Sequence, residues 1–229
     1  MLQLDSMPIH MEVGPNSKIY VLFQTSQFSL SAVEQAANGT FEERVVLLLP
    51  AAGRYFLIVG DEELIVVGMY MQIGIFKKNG TTLSLHQTLM EGNDIRGLAL
   101  SGDQQELVSC HHGLNFYRQN GSQFELRQTI SLAFECFEVN FLGDLVEVHG
   151  FSPEIRFYEF NGSAYVPEFT IQTDESYILE LNILDNGSKF IFGGESEKVS
   201  IYALTNDSFS LLEQLQAGVP LFQIFVDSE

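Results

Sequence analysis

The 229-residue chain has no tryptophan, two cysteines and six prolines, and sets 11 basic residues against 30 acidic ones. Each shortage excludes something. A formal net charge of −19 argues against nucleic acid, which needs a basic face, and against anionic membrane surfaces. It suits a soluble chain with basic or cationic partners. No apolar run reaches the roughly 18 residues of a membrane span. Residues 1–30 lack a basic start followed by an apolar core, so no signal peptide is expected and a cytoplasmic setting is the working expectation. Two cysteines cannot frame a disulfide-built fold. No Gly-x-Ser-x-Gly, P-loop, Gly-x-Gly-x-x-Gly or His-Glu-x-x-His pattern occurs. The acidic pairs Glu42-Glu43 and Glu62-Glu63 read as loop and turn residues with no apolar pocket to perturb them.

What is present is a repeat. Asn-Gly or Asn-Asp pairs stand at Asn38, Asn79, Asn120, Asn161 and Asn206, at intervals of 41, 41, 41 and 45 residues. A period of about 40–45 residues with strand-like sequence on both sides is the signature of a propeller blade. The third repeat is the clearest. Strands a to d read IRGLALSG from Ile95, ELVSCHH from Glu106, LNFYRQ from Leu114 and SQFELRQTI from Ser122. The turn between a and b carries Gly102-Asp103, and the turn between c and d carries Asn120-Gly121, suited to the positive φ of a tight hairpin. Strands a and b are often apolar on both faces, as in Leu64–Val67 and Phe190–Phe192. Strand d alternates, as an outer strand with one wet face should.

The sequence predicts an all-β propeller of five complete four-stranded blades, near residues 8–49, 53–89, 94–130, 135–171 and 177–215. A partial sixth blade would occupy 219–229, and Leu2–Asp5 reads as a lone strand d. These unmatched ends imply an open or fragmentary ring, with a closed five-bladed ring as the alternative. In this pattern the chain resembles the WD40 repeat family. Ile155–Glu159, IRFYE, matches that family's strand c, with Tyr158-Glu159 where Trp-Asp would stand. The chain departs from the family in lacking every Trp and the Gly-His pairs, so the resemblance is to a degenerate, WD40-like repeat.

Six Asn-x-Ser/Thr sequons coincide with turns, at the five Asn positions above and at Asn186, where backbone geometry already explains the asparagine. Cys110 and Cys136 fall in strands of neighbouring blades. Buried free thiols are the expected state, with an inter-blade disulfide as the alternative. His111 and His149 are aligned by the repeat to the same position, the end of strand b. No third ligand accompanies them, so no metal or other cofactor is expected. Glu195 and Glu197 in the long b–c loop of the fifth repeat, with Asp174 and Glu175 in the preceding d–a loop, complete a candidate partner-binding face. The absence of a catalytic motif and the rigid repeat lead to an expectation of a non-catalytic protein-interaction scaffold, in a larger assembly, with a basic or propeller-completing protein partner. A carbohydrate-binding or glycan-processing extracellular propeller is the alternative.

Overall fold

The computed structural model describes residues 7–13, 18–24, 28–35, 40–59, 62–80, 82–184, 188–205 and 208–218. The expected partial strands at both ends lie outside these residues. Among the described residues, twenty strands form five four-stranded antiparallel sheets, the blades of a β-propeller, and no helix occurs. By contact density the chain divides into two compact units, Met1–Leu98 and Ala99–Glu229.

In the first unit, β1 (Met7–Val13), β2 (Ile19–Gln24), β3 (Phe28–Gln35) and β4 (Phe41–Leu48) pair in sequence order, as do β5 (Gly53–Val59), β6 (Leu64–Met69), β7 (Gln72–Asn79) and β8 (Thr82–Met90). Strand β6 is buried at all six positions. Its apolar residues on both faces have cover on both sides, as expected for an inner strand. Tyr20, Leu22 and Leu30 of the first sheet pack with Phe56, Ile65 and Val67 of the second.

The second unit contains three sheets: β9 (Gly97–Leu100), whose start overlaps the boundary, with β10 (Glu106–Cys110), β11 (Gly113–Asn120) and β12 (Gln123–Ser131); β13 (Cys136–Leu142), β14 (Leu145–Gly150), β15 (Glu154–Phe160) and β16 (Tyr165–Gln172); and β17 (Ile178–Leu184), β18 (Lys189–Gly194), β19 (Lys198–Thr205) and β20 (Ser208–Gln216). Phe157, fully buried, stacks on Phe169 at 4.2 Å and meets Phe190 and Phe209 of the next sheet. Burying a side chain of this size contributes about 2–3 kcal/mol.

Two irregularities repeat. Every outer strand carries one extra residue opposite the strand-c partner: Val46, His86, Arg127, Glu168 and Leu212. Four inner strands do the same at Ile9, Arg54, Phe137 and Leu179. A bulge increases local twist and re-aims the side chains that follow it.

The c–d turns refine the sequence reading. Asn120 pairs with Gln123, leaving Gly121-Ser122 as the two-residue turn. Gly121 has φ of +63° and Ser122 does not share the positive region, so glycine fills the first turn position and asparagine closes the strand. Gly80 and Gly162 also take positive φ, +64° and +93°.

The expectation of free thiols is corrected. Cys110 and Cys136 form a disulfide with Cα atoms 5.9 Å apart. Strand β10 ends where β13 begins, and the Cys136 amide donates to the His111 carbonyl at 2.6 Å, which holds the two backbones within bridging distance.

Candidate active site

The site is built from one face of the β13–β14 ladder. In β14 alternate residues divide sharply. Val146 and Val148 join the apolar core shared with β10 and β11, while Glu147 and His149 point to the opposite face. Both polar side chains are fully buried. On β13, the Phe137 bulge moves Glu138 opposite His149, where an unbroken ladder would have set it against Val148. Asn140 then stands opposite Glu147. The result is a polar quartet on a face that packs towards β17, where Glu180 and Asn182 stand two residues apart just as Glu138 and Asn140 do.

The geometry is specific. Glu147 Oε1 lies 2.9 Å from His149 Nδ1, and its Oε2 accepts from Asn140 Nδ2 at 3.1 Å. Asn140 also reaches Glu138 Oε1 at 3.4 Å, and Asn182 reaches Glu180 Oε1 at the same distance. His149 Nε2 has no hydrogen-bond partner and lies 3.6 Å from Glu138 Oε2. Glu138 is partly exposed, with 38% of its side chain accessible against none for His149.

Charge follows from this layout. Burial pulls the His149 pKa down, but Glu147, then Glu138 and Glu180, outweigh it, so the imidazole is held above its usual 6.5 and favours the cation. Burial raises the Glu138 carboxyl and Glu147 raises it further, partly opposed by His149. Glu180 is raised by burial and then by the charge of Glu138. Two carboxyls, each pushed towards neutrality, with Glu180 also sensing the charge of Glu138, can divide the roles of base and acid.

The residues singled out in the sequence are placed differently. His111 is not the counterpart of His149. Matching Tyr117 to Tyr158 through their ladder partners Leu107 and Val146 puts Cys110, not His111, at the His149 position. The b–c loops differ in length, and a one-residue slip exchanges the two faces of a strand. His111 leaves β10 and turns its Nε2 to Glu135 at 3.9 Å, its ring edge-on to His112. No three His, Cys, Asp or Glu side chains converge as metal ligands among the described residues. Asp174 pairs with Lys198 at 2.9 Å and meets Gln214, and the Lys198 hydrogen bond lowers its pKa. Glu175 is buried and accepts from the Ser196 amide at 2.9 Å and from the Ser196 hydroxyl. Glu197 has φ of +62°, and its carbonyl accepts from the Ala217 amide at 2.7 Å. Glu195 is exposed.

No family model matches the chain, and no curated protein does. Solved structures do. A "putative 6-phosphogluconolactonase" from Bacteroides uniformis superposes with a TM-score of 0.75 at 11% identity, over 95% of this chain and 74% of that one. A "putative 6-phosphogluconolactonase" from Bacteroides fragilis gives 0.73 at 10% identity, over 93% and 71%. A periplasmic gluconolactonase from Pseudomonas aeruginosa gives 0.70 at 11% identity, with the same coverages of 93% and 71%. At these identities the likeness establishes the propeller fold. The expectation of a non-catalytic scaffold that is not an enzyme is corrected on the same finding, since these similar propellers are named as 6-phosphogluconolactonases and a gluconolactonase.

Proposed function

We propose that the chain is a hydrolase that opens a cyclic sugar ester, with Glu138 as general base and Glu180 as general acid. The observation that carries this reading is the pair of repeat-related carboxyls, both raised in pKa, flanking a buried His149–Glu147 couple. Opening a lactone needs a base to take a proton from the attacking water and an acid to protonate the departing ring oxygen. Ionised Glu138 takes the water proton as the water oxygen bonds to the carbonyl carbon. The tetrahedral centre then collapses, the carbon–ring oxygen bond breaks, and protonated Glu180 supplies the proton. His149 is a positioning residue: Glu147 fixes its ring, and its Nε2 holds Glu138 in place and in charge. The lactonase names of structurally similar propellers support the substrate class. The test is acid release from a panel of aldonolactones at constant pH. Hydrolysis of a six-membered sugar lactone well above the spontaneous rate is expected, and a rate equal to the spontaneous one for every member rejects the proposal.

A WD40-like kinship of the repeat is a further proposal, supported by the apolar run into Tyr158-Glu159 in β15. If it holds, blade-by-blade superposition on WD40 repeats will place Tyr158-Glu159 on their Trp-Asp pair.

A further inference from the structure

We propose that a second site, the cleft between β11–β12 and β16, binds a small acid built on a sugar-sized ring. Its reading is independent of the Glu138 site. The Arg127 bulge turns Gln128 to the same face as Phe116 and Arg118, where an unbroken ladder would have hidden it on the other. Gln128 then pairs with both backbone groups of Tyr165: its amide nitrogen donates to the carbonyl at 2.8 Å, and its oxygen accepts from the amide at 2.7 Å. Phe116 stacks on the Tyr165 ring at 4.1 Å, and the Tyr165 hydroxyl donates to Glu106. These contacts fix the two sheets apart and leave a cavity of 590 Å³. A second cavity of 420 Å³ shares Glu106, Arg118, Phe160 and Tyr165 with it. The first volume lies within the range of about 300–1,000 Å³ of small-molecule sites.

The wall chemistry selects the ligand. Two guanidiniums, Arg118 and Arg127, stand at the mouth, although the whole chain has just 11 basic residues. Both are about half exposed, and their carboxylate neighbours are 3.9 and 3.4 Å away. The Arg118 separation is too long for a hydrogen bond, so its ion pair with Glu106 leaves the guanidinium able to hydrogen-bond an anion entering the cavity it lines. The Arg118 guanidinium lies over the Phe160 ring, 5.9 Å from its centre, and Phe116, Phe160 and Tyr165 give the cavity an aromatic wall for a ring. Glu106 supplies an acceptor for hydroxyls. An anionic group, a ring face and ring hydroxyls are therefore read together, which describes a sugar phosphate or a sugar carboxylate. The second cavity reaches Gly143 and Asp144, just before β14. His149 lies five residues further on, about 17 Å along the strand, so the two sites are distinct.

Calorimetric titration of the full chain with glucose 6-phosphate, glucuronate, glucose and inorganic phosphate tests this. Glucose 6-phosphate, glucuronate or both should bind, at least tenfold more tightly than glucose or phosphate alone, and the tighter acid identifies the anion. The double variant Arg118→Met/Arg127→Met should lose that binding by tenfold or more, with unchanged circular dichroism and unchanged lactone turnover. Arg118→Lys should lose less. Glu138→Gln should leave the binding intact, which separates this site from the proposed active site. Absence of binding at millimolar concentration, or equal affinity for phosphate alone, or binding indifferent to the double substitution in a folded variant, overturns the proposal.

Discussion

Glu138 and His149 face one another across the β13–β14 ladder, with Oε2 3.6 Å from Nε2, because one bulged residue, Phe137, shifts the register between them. The imidazole is fully buried and the carboxylate partly reaches solvent; burial raises the Glu138 carboxyl, and the His149 charge partly opposes that rise.

Glu147 is the anchor of that arrangement. Replacing it with Ala strips His149 of its 2.9 Å partner and leaves the cation buried. Breaking one side of a buried pair costs about 3–5 kcal/mol. Urea denaturation should therefore show a large fall in midpoint for Glu147→Ala. A loss below about 1 kcal/mol would mean that the imidazole is not held charged by this carboxylate.

The pH dependence has a fixed sign. His149 is raised above 6.5 in the folded chain. Its contribution is fully present below that value and is lost as pH climbs through the raised one. Glu138 and Glu180, also raised from their ordinary values, push in the same direction, since each favours the folded chain while protonated. The urea midpoint of the native chain should fall as pH rises above 6.5, and the fall should be shallower in His149→Gln. Identical slopes in the two proteins would remove His149 as the titrating group.

Two glycines separate conformational from steric need. A Cβ at Gly121 would touch nothing within 4 Å, but φ is +63°. Gly121→Val should cost about 1 kcal/mol through the backbone alone. At Gly150 a Cβ would sit 2.2 Å from the Glu135 carbonyl oxygen and 2.7 Å from the Cys136 Cα, both backbone. Gly150→Ala should cost more, about 2–3 kcal/mol, despite being the smaller change. Thermal unfolding in which Gly121→Val is the worse variant would contradict both assignments.

The Cys110–Cys136 bond closes a loop with a sequence separation of 26 residues. Loops of this length contribute about 3 kcal/mol through the unfolded chain. Cys110→Ser/Cys136→Ser should lose roughly that amount, and reductant should lower the melting temperature of the native chain but not of the double variant. Equal responses to reductant would show that the bond is not formed in solution.

Much of the fold was legible because strand position leaves a periodic mark. The 41-residue interval located four strands per blade, and two-sided apolarity marked inner strands such as Leu64–Met69. The bulges were not legible: Val46, His86, Arg127, Glu168 and Leu212 share no chemistry, so nothing in composition marks them as extra residues. That gap hid the site. Aligning His111 with His149 by their nearness to the loop missed the single-residue offset that the ladder imposes. Glu138 and Glu180 did carry a signal, as the Glu-x-Asn pairs in FEVNF and LELNI recur at matching strand positions. Carboxylates inside inner strands are costly unless partnered, and that cost is what marks them out, more than the acidic loops around Asp174, Glu195 and Glu197. The disulfide was hidden because cysteine spacing says nothing of which strand ends meet.

As the proposed general base, Glu138 would activate water for lactone opening. The most direct measurement is the steady-state rate of acid release from 6-phosphogluconolactone and from glucono-1,5-lactone, for the native chain, Glu138→Gln and Glu180→Gln. Removing a general base or acid should lower kcat by about 100-fold or more, with smaller changes in KM and with the fold preserved. If the native chain turns over neither lactone faster than water does, or if Glu138→Gln retains native kcat, Glu138 is not the base and the cluster is a structural charge network.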